Sequence, residues 1–572
     1  MNPVELDLPQ SLAAQVDAAL SEWDQQKRSA KLWAKDASLW TQHDEAKWMG
    51  WLDLPSETRK LLPQLSAFAA SVKAGGYSHV LLMGMGGSSL APEVLTQTFG
   101  RQGGFPELLV LDSTDPQQVK SFEKRIDVTK TLFIVSSKSG STLEPNIFLR
   151  TFFDLAEKAL GKEEAAKRFV AVTDPGSKLE AHAKEAGFGH LFNGVPSVGG
   201  RYSALSAFGM VPAAAMGLDV AKLLDGAQAM ADACGPKVHA KENPGVLLGT
   251  VLGLAAKAGR DKVTFVAGHE YWDLGAWLEQ LIAESTGKLG KGLIPVDRET
   301  IAGPSAYGND RVFVHLRTAA KPNATRDLEL ANLARAGHPV VRISLQGPDT
   351  LGQEFFRWEI ATAVAGSVIG INPFDQPDVE AAKIEARKLT DAYERDGKLP
   401  SAAPFVEEGG LSLFTDAANK ADLDTRISSD KLFASYLRAH VHRTGPGDYF
   451  AILAFIQMNE RHEQLLMAIR DLIRDRQRVA TCLGFGPRFL HSTGQAYKGG
   501  PPSGVFLQIT SDDAEQVAVP GQRYTFGVVK AAQAQGDLQV LFDRKRRALR
   551  VHLPSDVEAG LRGLVNAFQQ AL

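Results

Sequence analysis

From Tyr77 onward the chain alternates short, mostly apolar runs with segments of helical spacing. The runs at 79–83 (HVLLM), 107–111 (ELLVL), 132–135 (LFIV) and 169–172 (FVAV) are hydrophobic enough to be strands buried on both faces. Strands separated by helix-like segments predict an α/β unit, a parallel sheet flanked by helices. A second set at 262–267, 311–316 and 340–345 begins after about residue 216 and repeats the order of elements, which predicts a doubled architecture. Ahead of both, Leu12, Val16, Leu20 and Trp23 recur at helical spacing and mark a helical arm. Past about residue 400 the pattern shifts, with helix expected around 450–473 and strands at 505–510, 538–542 and 549–553. The expected division is an arm over 1–45, α/β units over 46–215 and 216–400, and an α+β extension over 401–572.

The length of 572 residues exceeds what one core can organise. A formal charge of −3 points to neither nucleic acid nor an anionic membrane as partner. Cys234 and Cys482 lie far apart without metal-ligand spacing, and the N-terminus MNPVELDLPQ has no apolar leader segment. No apolar stretch approaches the roughly 20 residues of a membrane helix. A cytoplasmic protein is the expectation.

Candidate chemistry concentrates in a few stretches. In TLFIVSSKSGSTLEPNIF, residues 131–148, an apolar run leads into five hydroxyls and a lysine, then into a helix start with Glu144-Pro145 in its first turn. Such a loop at a strand's C-terminal end offers backbone N–H groups, hydroxyls and one ammonium to an anion, with a phosphate monoester as the natural guest. An ordinary N-capped loop would use one or two of those hydroxyls. A second turn, Gly84 to Ser89 (GMGGSS), departs from the dinucleotide fingerprint because Ser89 stands at its third glycine position. In DLGAWLEQLIAESTGK, Leu274, Trp277, Leu278 and Leu281 form an apolar stripe that Glu284 continues. A carboxylate on that face is expected to titrate nearer neutrality and to serve as a base, unless the helix ends before it. Gln280 lies one turn earlier. Arg201, after the glycines of VGGRYS, either steadies a developing oxyanion or is a buried structural arginine. Lys383, in NPFDQPDVEAAK, either reaches water from its helix or points into a site. The basic run 543–547 is expected to be a solvated hairpin turn, and His440 and His442 lack a third ligand, so no metal is assigned.

Taken together, GMGGSSLAP, SSKSGSTLEPN, VGGRYSALSAFG and ESTGK, followed by the NPFDQPDVEAAK helix, resemble the glucose-6-phosphate isomerase family over about residues 75–390. The arm and tail resemble the isomerase half of bifunctional transaldolase/glucose-6-phosphate isomerases; no transaldolase barrel precedes the arm, and no transaldolase activity is expected. The resemblance implies two SIS-type domains. It also implies a sugar-phosphate substrate and interconversion of glucose 6-phosphate and fructose 6-phosphate through a cis-enediol, without cofactor. By the same resemblance Ser88, Ser137, Lys138, Ser139 and Thr142 hold the phosphate. Glu284 is the base, Arg201 steadies the enediolate, and Gly87, Gln280 and Gln376 contact substrate. Lys383 takes part in ring opening.

One departure stands out. Where the family places its ring-opening histidine, between the glutamate and lysine motifs, this chain has SAYGNDRVFVHL, with Arg311 near the expected position and His315 in a strand-like run. The stretch FLHSTGQ at 489–495 resembles the segment that carries this histidine in one bacterial branch of the family, which makes His491 the candidate from a displaced place in the chain. The competing function is a non-catalytic SIS-type sugar-phosphate sensor, which would share the phosphate loop and have no use for Glu284 or Lys383. The resemblance suggests a homodimer, whereas a histidine from the chain's own tail would let a monomer suffice.

Overall fold

The computed structural model describes residues 2–268, 271, 273–427 and 431–572. Sixteen strands among these residues form three sheets. The chain opens with β1 (Val4–Asp7), followed by the helical arm, in which Leu12, Val16, Leu20 and Trp23 are buried as their spacing requires. The first sheet contains β2 (His79–Met83), β3 (Glu107–Leu111), β4 (Thr131–Ser136), β5 (Phe169–Thr173) and β6 (His190–Asn193), all parallel, in the order β3-β2-β4-β5-β6. The chain passes from β2 to one side and returns to the other, so the crevice between the C-terminal ends of β2 and β4 is the switch point where such sheets bind ligands. Both candidate loops, Gly84 to Ser89 and Ser137 to Thr142, leave the sheet there.

The second sheet uses β7 (Lys262–Ala267), β8 (Ile294–Val296), β9 (Arg311–Thr318) and β10 (Val340–Leu345), in parallel. Its spatial order is β8-β7-β9-β10, the same second-first-third-fourth sequence as in the first sheet, and β1 closes the free edge antiparallel to β10. The arm is therefore also a fifth strand, which its polar alternation VELD did not reveal.

Past residue 400 the structure departs from the sequence reading. Residues 449–455, expected to be helical, are the strand β13 (Tyr449–Phe455), and helix occupies Glu460–Gln477. Residues 538–542, expected to be a strand, lie inside the Phe526–Asp543 helix. That helix is buried on most of its surface, so no polar stripe betrays its period. The third sheet comprises β11 (Val406–Glu408), β12 (Leu411–Phe414), β13, β14 (Ala480–Phe485), β15 (Gly504–Ser511) and β16 (Arg547–Leu553). Strands β13 to β16 are parallel in the same second-first-third-fourth order, and β12 and β11 extend the sheet antiparallel. The run 543–547 joins helix to strand and is no hairpin. Arg546 is buried there and donates to the carbonyls of Lys498 and Gly500.

Helices Pro244–Lys257 and Leu351–Ile369 cross closely because Gly245, Gly249 and Gly253 stand at four-residue spacing on the shared face. A Cβ on Gly249 would sit 2.4 Å from the Ala361 carbonyl oxygen, and one on Gly253 2.6 Å from Val368 Cβ. Gly249→Ala is therefore expected to lower the thermal midpoint. Overpacking of about 1–3 kcal/mol outweighs the roughly 1 kcal/mol that alanine gains in a helix. A raised midpoint in a thermal scan would show that the helices are not in contact at this position.

Candidate active site

A cavity of about 450 Å³ opens at the β2/β4 crevice, and residues from all three units line it. The first unit supplies the hydroxyl loop. Thr142 occupies the N-cap position of the Leu143–Leu160 helix, yet its side chain makes no capping hydrogen bond. The hydroxyls of Ser136 and Ser137 are buried and make no hydrogen bond among the described residues. Buried polar atoms are ordinarily paired, so two unpartnered hydroxyls on residues that line a cavity mark this wall as one with donors to spare. Ser139 Oγ lies 2.9 Å from Ser141 Oγ, and Ser88 lines the same wall. Lys138 is held by the Asp174 carboxylate and, at 3.2 Å, by the Pro196 carbonyl. Its charge is thus partly matched before any anion arrives.

The Gly84 to Ser89 turn is shaped by contact. Gly86 has φ +55°, and a Cβ there would lie 2.8 Å from Gln280 Nε2 and 2.7 Å from the His491 carbonyl oxygen. On Gly87 a Cβ would lie 1.9 Å from the Gly200 carbonyl oxygen. Only a bare backbone lets the first turn meet the loop that carries Arg201.

Glu284 lies within the Leu274–Thr286 helix, so the helix does not end before it, and it is buried. Its surroundings are not purely apolar. Arg201 Nη1 lies 3.3 Å from Oε1, and Gln280 donates to Oε2 at 3.0 Å. Gln280 also donates to the His491 carbonyl at 2.9 Å. Arg201 is at once structural and part of the site. Its guanidinium donates to Ser285 Oγ at 2.7 Å, Gln376 Oε1 at 2.9 Å and the carbonyls of Pro373 and Asp375 at 2.8 and 3.0 Å. The two readings of this residue are therefore not exclusive.

His491 reaches the cavity from the connection between β14 and β15, with Nε2 2.9 Å from Glu144 Oε1. Burial alone would raise the Glu144 carboxyl; the charge and hydrogen bond of His491 hold it below the ordinary carboxylate range. Arg311 is instead buried in an ion pair with Glu299 at 2.9 Å. His315 is buried in β9, where burial pushes it down to about 4. Neither lines the cavity. Lys383 stands at the rim, half-exposed and 3.2 Å from Glu380 Oε1. It does both things foreseen for it, reaching solvent while lining the site.

Several partners were not legible in the sequence. Lys288, just past the Glu284 helix, ties that helix to the 372–376 loop through Asp375 Oδ1 at 2.6 Å, and burial, followed by repulsion from Arg201, pushes it down to about 7. Gln495 donates to the Gly287 carbonyl at 3.0 Å and to Asp378 Oδ2 at 2.8 Å, joining the histidine segment to both. The i+4 spacing of Gln495 from His491 was visible; its targets, more than a hundred residues away, were not.

Comparison with known proteins identifies the family. The phosphoglucose isomerase family profile matches residues 48–310. A glucose-6-phosphate isomerase of Rubrobacter xylanophilus is 31% identical over 379 residues, covering 58% of this chain and 87% of that protein. The chain belongs to the phosphoglucose isomerase family. A probable glucose-6-phosphate isomerase of Methanococcus maripaludis is 28% identical, covering 58% of this chain and 82% of that one. Among solved structures, a Thermus thermophilus protein described only as hypothetical superposes with a TM-score of 0.59 at 26% identity, over 68% of this chain and 99% of its own. The phosphoglucose isomerase profile stops short of Gln376, Lys383 and His491, so their place at the cavity rests on the structure alone.

Gly87→Ala is expected to weaken binding of inorganic phosphate at least tenfold by calorimetry, since the new methyl group must push the Ser88 turn away from Gly200. Unchanged affinity would show that the two glycine turns need not touch for the anion to be held.

Proposed function

We infer that this protein is an aldose-ketose isomerase that interconverts glucose 6-phosphate and fructose 6-phosphate. One observation carries the reading. A buried carboxylate, Glu284, shares a single cavity with the serine-rich anion loop, which sets a base at one end of the site and a phosphate holder at the other.

The sugar's phosphate docks on Ser88, Ser137, Ser139 and Thr142 at the N-terminal end of the Leu143–Leu160 helix, with Lys138 alongside. Ring opening moves a proton off the anomeric hydroxyl and one onto the ring oxygen as the C1–O5 bond breaks. His491, oriented by Glu144, and Lys383 at the rim are the groups we assign to it. Glu284 then takes the proton from C2 of the open aldose and returns it to C1, while the proton of the C2 hydroxyl passes to O1. The electron pair passes through a cis-enediol, so the aldehyde is reduced as C2 is oxidised and no external electron carrier takes part. Arg201 stabilises the enediolate oxygen, and Gln280 and Gln376 orient the hydroxyls. A non-catalytic sensor would have no use for a base and an imidazole meeting in its anion pocket.

His491 comes from the same chain as Glu284, so we further propose that one chain holds a complete site, whether or not it pairs with a second copy. Both cysteines are free and buried, in keeping with a reducing, cytoplasmic setting. No helix among the described residues is long and apolar enough to cross a membrane.

In a coupled assay of glucose 6-phosphate formation from fructose 6-phosphate, Glu284→Gln is expected to lose about 10²- to 10⁴-fold in kcat. Equal rates for variant and wild type would remove Glu284 as the base. His491→Ala should lower turnover of the cyclic sugar by about 10²-fold while leaving phosphate affinity unchanged. Full turnover in that variant would remove the ring-opening assignment without touching the base.

A further inference from the structure

The Glu144–His491 pair is tied to a third residue. Gln533, in the Phe526–Asp543 helix of the third unit, donates Nε2 to Glu144 Oε1 at 2.7 Å, the same oxygen that meets His491 Nε2. The other end of that amide is also fixed, because Gln533 Oε1 accepts from Thr114 Oγ1 at 2.7 Å. An ionised carboxylate only accepts, so the amide must turn its NH₂ toward Glu144 and its oxygen toward the hydroxyl. Thr114, Glu144 and Gln533 are all buried.

The same rule fixes the imidazole. With Glu144 ionised, Nε2 of His491 carries the proton that faces it whether the ring is charged or neutral, and in the neutral ring Nδ1 is the acceptor. The nearby charges are already matched by partners of opposite sign. Lys383 is paired with Glu380, Glu284 with Arg201 and Lys138 with Asp174. Arg488, on the histidine's own turn, is paired with Glu93 and Asp112. Lys530, one turn before Gln533, is paired with Asp115 and Asp513. Gln533 is the neutral donor in this ring of charges.

We propose that Gln533 is a positioning residue, whose amide orients the Glu144 carboxylate and thereby holds His491 in the tautomer that opens the sugar ring. This rests on the ring-opening role assigned to His491. It gives the third unit a second contribution to the site, from a helix about forty residues beyond the histidine itself.

Two variants test it. Gln533→Leu removes the donor without adding charge. It should lower kcat on the cyclic sugar roughly tenfold while KM stays within about twofold, because the loss acts on a proton-transfer step and not on phosphate binding. Imidazole nitrogen NMR of the free protein should show His491 losing the signature of a single Nε2–H tautomer. Gln533→Glu donates only while its new carboxyl is protonated. Its kcat should be close to wild type at the acid end of the profile and fall roughly tenfold as pH rises through that carboxyl's ionisation, when two carboxylates meet. Folded variants that both keep the wild-type pH profile and His491 spectrum would overturn the proposal. So would an equal, pH-independent loss in both, which is the mark of packing alone. The spectrum is read without substrate, so it reports on Gln533 even if His491→Ala shows that ring opening does not need the histidine.

Discussion

A buried guanidinium bound to the base is the interaction on which this site depends. Arg201 reaches a glutamate and a serine at the end of one helix and three oxygens in the 373–376 loop, and it has no water to fall back on. Burying such a charge is costly unless every donor is matched, and removing one partner leaves the other stranded. The first unit's arginine loop and the second unit's base are therefore held in one arrangement, and the glycine turn at 86–87 can approach only because that arrangement leaves room for bare backbone. The serine-rich loop and Glu284 line one cavity, and this ion pair ties together the two units that supply them.

The third unit also reaches the cavity, through His491. Its histidine segment is anchored by Arg488 to Glu93 at 2.6 Å and to Asp112 at 2.8 Å, and by Gln495 to the end of the base helix. These contacts are charged or amide hydrogen bonds between buried groups, which hold geometry more tightly than apolar contact does. The long tail is in this sense part of the site, a role that neither its composition nor its strand pattern suggested.

How much could be read from the sequence follows from the physics of each element. Strands β2, β4 and β5 are buried on both faces and carry unbroken apolar runs, so their positions were plain; β7 and β10 are buried as well, although Thr264 interrupts one and Arg342 and Ser344 the other. In the third unit the same logic misled: the Phe526–Asp543 helix is enclosed on nearly every side and loses its amphipathic signature, and β13 runs straight into a helix of mixed polarity. Glu284 was visible because it breaks an apolar stripe, and the hydroxyl loop because no ordinary turn needs so many donors. Glu144 was noticed only as a helix-start residue, and Gln533 not at all. Their meaning lies in contacts across 347 and 389 residues of chain, for which local spacing carries no signal.

All three sheets share one strand order, and the residues at the strand ends decide what such a switch point can hold. In the third unit the strand that corresponds to β4 is β15, which ends at Ser511 and is followed by Asp512-Asp513. Carboxylates at that place repel a phosphate, and Asp513 instead grips Lys530, which also holds Asp115 of the first unit. The same strand order thus ends in different chemistry, a hydroxyl-lined cavity in the first unit and in the third a charged rivet between neighbours.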